Sequence, residues 1–216
     1  MTALALLALL VIVNGPVVSE TFEVSPGTDL TWYPLSGLPP GNPDAVPPAG
    51  AVDWEAECLA ATADAGAYTL FNPARSLRLE FDLYLAPDLA AETAAFVHVG
   101  STSGTLPSLF VWIETVDGAR LLTLMDGGTV LAQAPIAPDF HHVIVEADAG
   151  TGLWSWSLDG QPAGNGRQTW AAAPMNGLSY AVWDVAAGQA FYLDNLMVVP
   201  GAPARRLYMP VIGGGS

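Results

Sequence analysis

Between Phe140 and Gly160 the chain reads FHHVIVEADAGTGLWSWSLDG, and this stretch leaves few folds open. His141, Val143 and Val145 alternate with Phe140, His142, Ile144 and Glu146. Successive side chains of a strand point to opposite faces, so period-two alternation predicts a strand rather than a helix. Asp148-Ala149-Gly150-Thr151-Gly152 then supplies turn residues. After it Trp154, Trp156 and Leu158 share one face, which assigns both tryptophans to the core. Asp159-Gly160 follows, a dipeptide that tolerates positive φ and suits a tight reversal. The expectation is a β-hairpin closed by a second turn.

The same period recurs along the chain. Leu77, Leu79, Phe81, Leu83 and Leu85 form one apolar face, with Arg78, Glu80, Asp82 and Tyr84 opposite. Further strands are expected at 20–24, 67–71, 94–100, 108–115, 119–125, 129–133, 177–184 and 189–199. Asp117-Gly118 and Asp126-Gly127-Gly128 are expected to turn two hairpins. Residues 34–50 hold six prolines and three glycines, and 160–174 are again rich in Gly and Pro; both read as surface loops. Nothing after the N-terminal segment has sustained helical periodicity. Many short strands separated by turn residues predict an all-β, two-sheet antiparallel β-sandwich with jelly-roll topology.

Composition narrows the partners. The 216 residues suffice for one domain with a substantial core. Twenty-one acidic residues face six basic ones, all Arg, for a net charge of −15. Such a chain repels nucleic acid and anionic lipid. One cysteine, Cys58, excludes an internal disulfide framework and a multi-cysteine metal site, and reads as a small buried residue. Residues 2–13, TALALLALLVIV, are apolar but too short to cross a membrane comfortably. Asn14-Gly15-Pro16 ends that run, and small or apolar residues precede Glu20. The expected organisation is a signal peptide over 1–19, one domain over 20–199 and a tail over 200–216, with no membrane span in the mature chain; the other reading of the apolar run is a buried first strand or helix. Secretion or display at the cell surface follows from that expectation.

Two stretches resemble known families. Phe140-His141-His142-Val143, the acidic turn from Asp148 to Gly152, and Leu158-Asp159-Gly160 resemble a hairpin of laminin-G-like and concanavalin-A-like jelly rolls. Phe191-Tyr192-Leu193-Asp194-Asn195-Leu196-Met197-Val198 resembles the terminal strand of carbohydrate-binding β-sandwiches, whose opening residues are matched by Phe22-Glu23 and, further on, Trp32. That second resemblance implies a structural calcium held by Glu23 and Asp194, with Asn195 standing where the pattern has a second Asp. Hard cations take several oxygens, so two carboxylates with carbonyls and water make a sensible set. The other reading of Asp194 is a turn cap or a partner for an arginine.

Alternation also defines an outward set: Arg78, Glu80, Asp82, Tyr84, His98, Trp112, Glu114, His142, Glu146 and Trp183. Aromatic rings stack on the C–H faces of pyranoses, and charged or imidazole groups take hydroxyl hydrogen bonds. Trp112 and Trp183 are therefore the candidate platforms for a sugar, with Glu114 and His142 as hydrogen-bonding neighbours. The expected function is an exported, non-catalytic, lectin-like module that binds a polysaccharide or glycoconjugate. The alternatives are a structural or adhesive subunit of a surface assembly, contacting other proteins, and a glycoside hydrolase. The hydrolase has the least support, because the chain lacks a Glu-x-Asp-x-Glu run, and no G-x-S-x-G elbow or phosphate loop appears.

Overall fold

The structure, a computed structural model, describes residues 18–20, 32–45, 58–104, 107–171 and 173–201. Among them are fifteen strands and no helix. In chain order the strands are β1 Val18–Glu20, β2 Tyr33–Pro34, β3 Asn42–Ala45, β4 Cys58–Ala61, β5 Ala65–Ala74, β6 Ser76–Leu85, β7 Ala94–Gly100 and β8 Ser108–Val116. There follow β9 Ala119–Asp126, β10 Thr129–Pro135, β11 Phe140–Asp148, β12 Leu153–Leu158, β13 Gln161–Arg167, β14 Met175–Trp183 and β15 Phe191–Pro200. They form two antiparallel sheets. One has eight strands, ordered β13-β12-β11-β6-β15-β4-β3 with β1 also paired to β15; the other has seven, ordered β10-β9-β8-β7-β14-β5-β2. Neighbours distant in sequence, β6 beside β15 and β14 between β5 and β7, make this a jelly-roll sandwich rather than a pair of meanders.

The alternating faces explain why the sheets stack. In β6 every second residue is buried, from Leu77 to Leu85. Val143 and Val145 of β11, Leu193 and Val198 of β15, and Trp154 and Trp156 of β12 complete that inner face. From the other sheet Val97, Val99, Leu109, Val111, Ile113, Leu122, Leu124, Leu178 and Val182 meet them. Burial of this apolar surface, at roughly 25 cal/mol per Å², drives the stacking.

Turn chemistry sets the registers. Asp117-Gly118 and Asp159-Gly160 both have positive φ at their two central residues, the condition of a type I′ hairpin. The β11–β12 turn is held by Asp148, whose Oδ1 accepts the amides of Gly150 and Thr151 at 2.8 and 3.2 Å. Gly152 has φ +73°, and a Cβ there would lie 1.9 Å from the Gln168 carbonyl oxygen, so only glycine fits.

Four elements differ from the sequence reading. β13 occupies part of the expected loop 160–174. It is an edge strand, paired only with β12, so Pro162 removes no needed ladder donor. Its glycines have a packing reason: a Cβ on Gly166 would meet the Trp154 ring at 2.8 Å. β3 likewise lies within the proline-rich stretch, β2 overlaps only its first residue, and both are edge strands. β1 begins at Val18, inside the segment expected to be removed, and pairs Val18, Ser19 and Glu20 with Val198, Met197 and Leu196.

Candidate functional site

The outward set does not form one surface. Alternation sorts side chains into inward and outward but says nothing about which sheet carries them, and the jelly roll deals them to both. Arg78, Glu80, Asp82, Tyr84, His142 and Glu146 lie on the outer face of the eight-stranded sheet; His98, Trp112, Glu114 and Trp183 lie on the outer face of the seven-stranded one. The expected gathering of His142 with Trp112, Trp183 and Glu114 is thereby corrected: a whole core separates His142 from the other three.

The eight-stranded face is a polar network. His142 Nδ1 lies 2.6 Å from Asp82 Oδ1, and Nε2 lies 3.2 Å from Glu80 Oε1. The Arg78 guanidinium pairs with Glu80 Oε2 at 2.6 Å. Asn195 Nδ2 donates to Asp82 Oδ2 at 2.8 Å. Asn195 sits at a register shift in β15 with φ 48°, a left-handed conformation that Asn adopts more readily than most residues. Every polar group named here is engaged with a protein partner. Beside the network lies a cavity of about 230 Å³ whose lining includes Arg78, Glu146, Ser155 and Ser157. Ser155 Oγ donates to Glu146 Oε2 at 3.0 Å across it.

Asp194 lies in the same sheet, in register with Asp82, and is fully buried. Its Oδ1 accepts the amide of Asn195 at 2.7 Å. Burial, followed by the Asp194 charge, pushes the Cys58 thiol up to about 12, and Cys58 donates to the Ala45 carbonyl at 3.4 Å. The small-buried-residue reading of Cys58 thus describes it. Glu23, the other expected calcium ligand, lies outside the described residues. Among the described residues no group of three or more His, Cys, Asp or Glu side chains is arranged to hold a metal ion.

The seven-stranded face is aromatic. Trp112 and Phe96 are in register on β8 and β7, and their rings stack with centroids 5.7 Å apart and planes 20° apart. Trp183, at the end of β14, lies 5.4 Å from Phe96 and 5.7 Å from Trp112. The three rings form a half-buried cluster, so the structure does bring Trp112 and Trp183 together. Phe110 packs edge-on against Phe96 at 5.3 Å. Phe110, Trp112, Glu114, Met125 and Gly127 line a depression of about 340 Å³, which puts the Glu114 carboxylate at its edge.

His98 forms the floor beside this cluster. It stacks on Phe110 at 4.2 Å, with Nδ1 3.2 Å from Ser179 Oγ and Nε2 3.0 Å from Ser108 Oγ. Burial lowers its pKa to about 4. The sequence reading missed Phe96, Phe110 and Met125. The signal was present: Phe96 alternates with Ala95 and Val97, and Phe110 shares its phase with Trp112.

No family model matches the chain, and no curated protein matches it. Solved structures do. The chain is similar to the carbohydrate recognition domain of Emp46p in its potassium-bound form, with 10% identity over 85% of this chain and 96% of that one, at a TM-score of 0.59. It is similar to the Emp47p carbohydrate recognition domain, with 11% identity over 82% of this chain and 99% of that one, at 0.52. A third is the ligand binding domain of botulinum neurotoxin serotype D in complex with N-acetylneuraminic acid, with 6% identity over 86% of this chain and 47% of that one, at 0.56. Likeness at such identity is likeness of fold. The chain has the concanavalin-A-like jelly-roll β-sandwich.

Proposed function

We propose that this protein is an exported, non-catalytic carbohydrate-binding module whose binding surface is the aromatic face of the seven-stranded sheet. The observation that carries this reading is the cluster of Trp112, Phe96 and Trp183, solvent-facing on a sheet whose core needs are met from its other side. Rings left outward in this way offer π-faces to sugar C–H groups, while Glu114 accepts hydrogen bonds from sugar hydroxyls at the edge of the depression. The fold it shares with carbohydrate recognition domains supports the reading without deciding it. His142 is not part of this surface. Its carboxylate partners hold it on the other sheet.

The test is a binding screen of the mature protein on immobilised neutral and acidic glycans. Trp112→Ala and Trp183→Ala should each lose about tenfold or more in affinity for whatever binds, with the fold retained by circular dichroism. Binding unchanged in both variants would remove the aromatic face from consideration.

A protein-docking role is the second reading. Tyr33, Tyr68 and Leu70 favour it, since all three are large and exposed close to the proline-rich stretch.

A structural calcium on Glu23 and Asp194 belongs to the proposal as well. Its support is a fully buried carboxylate on the last strand, in register with that of Asp82. Chelation should lower the melting temperature of calcium-loaded protein, because a ligand of the folded state stabilises it by mass action. Asp194→Asn should abolish the response to added calcium. A melting curve that chelation leaves unmoved, on protein shown to be metal-free afterwards, would dispose of the site.

A further inference from the structure

We infer that the occupant of the aromatic face is a neutral glycan chain of several units, laid across the strands, rather than a terminal or acidic sugar. This rests on the carbohydrate-binding reading above.

Charge decides between neutral and acidic. The seven strands of this sheet carry a single cation, Arg120. Its guanidinium is committed to backbone: it donates to the carbonyls of Thr93 and Ala90 at 2.7 Å each and of Leu89 at 3.3 Å. It also lies in phase with Leu122, which is buried in the core, and not with the outward Thr123 and Met125. Among the described residues the outer face therefore offers a carboxylate or sulfate no cationic partner. His98 does not supply one, since burial keeps it neutral down to about pH 4. Glu114 and the overall charge of −15 both oppose an anionic ligand. The basic side chains that could have framed such a ligand, Arg78 and His142, are on the far sheet, paired there with Glu80 and Asp82.

Register decides between a single unit and a chain. Phe110 is opposite His98, His98 opposite Ser179, Ser179 opposite Tyr68 and Tyr68 opposite Tyr33. These five residues make one row perpendicular to the strands, all pointing outward. Four steps of about 4.8 Å give the row a length of about 19 Å. Rings stand at both ends: Phe110 with its Phe96–Trp112–Trp183 cluster at one, and Tyr68 with Tyr33, centroids 5.4 Å apart, at the other. Between them the side chains are the His98 imidazole and the short Ser179, with Ser108 hydrogen-bonded beside them. Two ring groups flanking hydroxyls suit a repeating ligand, which presents C–H faces at intervals and hydroxyl groups throughout. A lone terminal sugar would use one end and leave Tyr33 and Tyr68, 46% and 36% exposed, out of contact with it.

The experiment is calorimetric titration with ladders of β-1,4-linked gluco-, xylo- and manno-oligosaccharides of two to six units. 3′-Sialyllactose and oligogalacturonates serve as acidic probes. Affinity for at least one neutral ladder should rise with length to about four or five units and then level off, while the acidic probes bind at least tenfold more weakly. Tyr68→Ala and Tyr33→Ala should lose about fivefold or more on the hexamer and nothing on the dimer. Trp112→Ala should lose affinity on both. Full affinity at the dimer, unchanged hexamer binding in both tyrosine variants, or a preference for the acidic probes would each overturn the inference and leave the carbohydrate-binding reading standing. No binding of any probe, together with reversible self-association abolished by Tyr33→Ala, would overturn both in favour of protein docking.

Discussion

Between about pH 6.5 and pH 4 the folded protein is expected to lose on the order of 3 kcal/mol of stability through His98 alone. The cause is burial: the imidazole lies against Phe110, between Ser108 and Ser179, and its folded pKa falls to about 4 from the ordinary value of 6.5. The sign follows from which state binds the proton. Below pH 6.5 the unfolded chain protonates this histidine and the folded chain does not, so acid favours unfolding. The contribution is complete above pH 6.5, declines as the pH falls, and stops declining below about pH 4, where both states are charged. Carboxylates titrate in the lower part of this window, so the useful quantity is a difference. Urea denaturation of wild type and His98→Gln at pH 7.5, 5.5 and 4.5 should give a stability gap that closes as the pH drops. A gap that stays constant over this range would mean that His98 is solvated and the floor of the aromatic face is open to water.

Trp156→Ala is expected to cost roughly 3–5 kcal/mol, the range for truncating a large aromatic in a packed core. Trp156 is 1% exposed and lies between β11 and β13 on the inner face. Its indole Nε1 is buried without a hydrogen-bond partner. Trp156→Phe, which removes that N–H while keeping most of the ring, should therefore recover much of the loss. Trp112→Ala makes the instructive contrast. It removes a half-buried ring whose aromatic contacts are with Phe96 and Trp183, and should cost only about 1 kcal/mol. Denaturation midpoints at pH 7.5, where His98 does not titrate, compare the two directly. Equal losses at both positions would make the outer cluster a structural element and not a binding surface.

These two tryptophans also mark how far the sequence could be read. Period-two alternation placed Trp154 and Trp156 inward and Trp112 outward, and the burial of β6, β8 and β11 follows that alternation closely. Asp-Gly pairs located the hairpins because few other dipeptides accept two successive positive φ values. Sheet membership was not legible. It depends on which distant strands pair, β6 with β15 and β7 with β14, and no local pattern encodes that; hence His142 was grouped with residues on the opposite side of the core. β13 escaped notice for a different reason. Glycine and proline weaken a strand in general, but on an edge, facing the Trp154 ring, absence of a side chain is what packing requires. Asn195 shows the same limit: its sequence context suggested a lost metal ligand, whereas its backbone conformation and its bond to Asp82 account for it locally.

That bulge divides the last strand's free side between two partners. Phe191 to Leu193 pair with β4, whereas Leu196 to Val198 pair with β1. Among the described residues the segments that zip the two halves, β1 and β4, are not paired with each other, so one is expected to open without the other. Short edge segments open at far lower free energy than the body of a sheet. Loss of β1 would thus bare three residues of β15 while β4 and β6 keep the strand anchored. The sandwich carries a detachable hem along one border, which is expected to open before the cooperative unfolding of the rest.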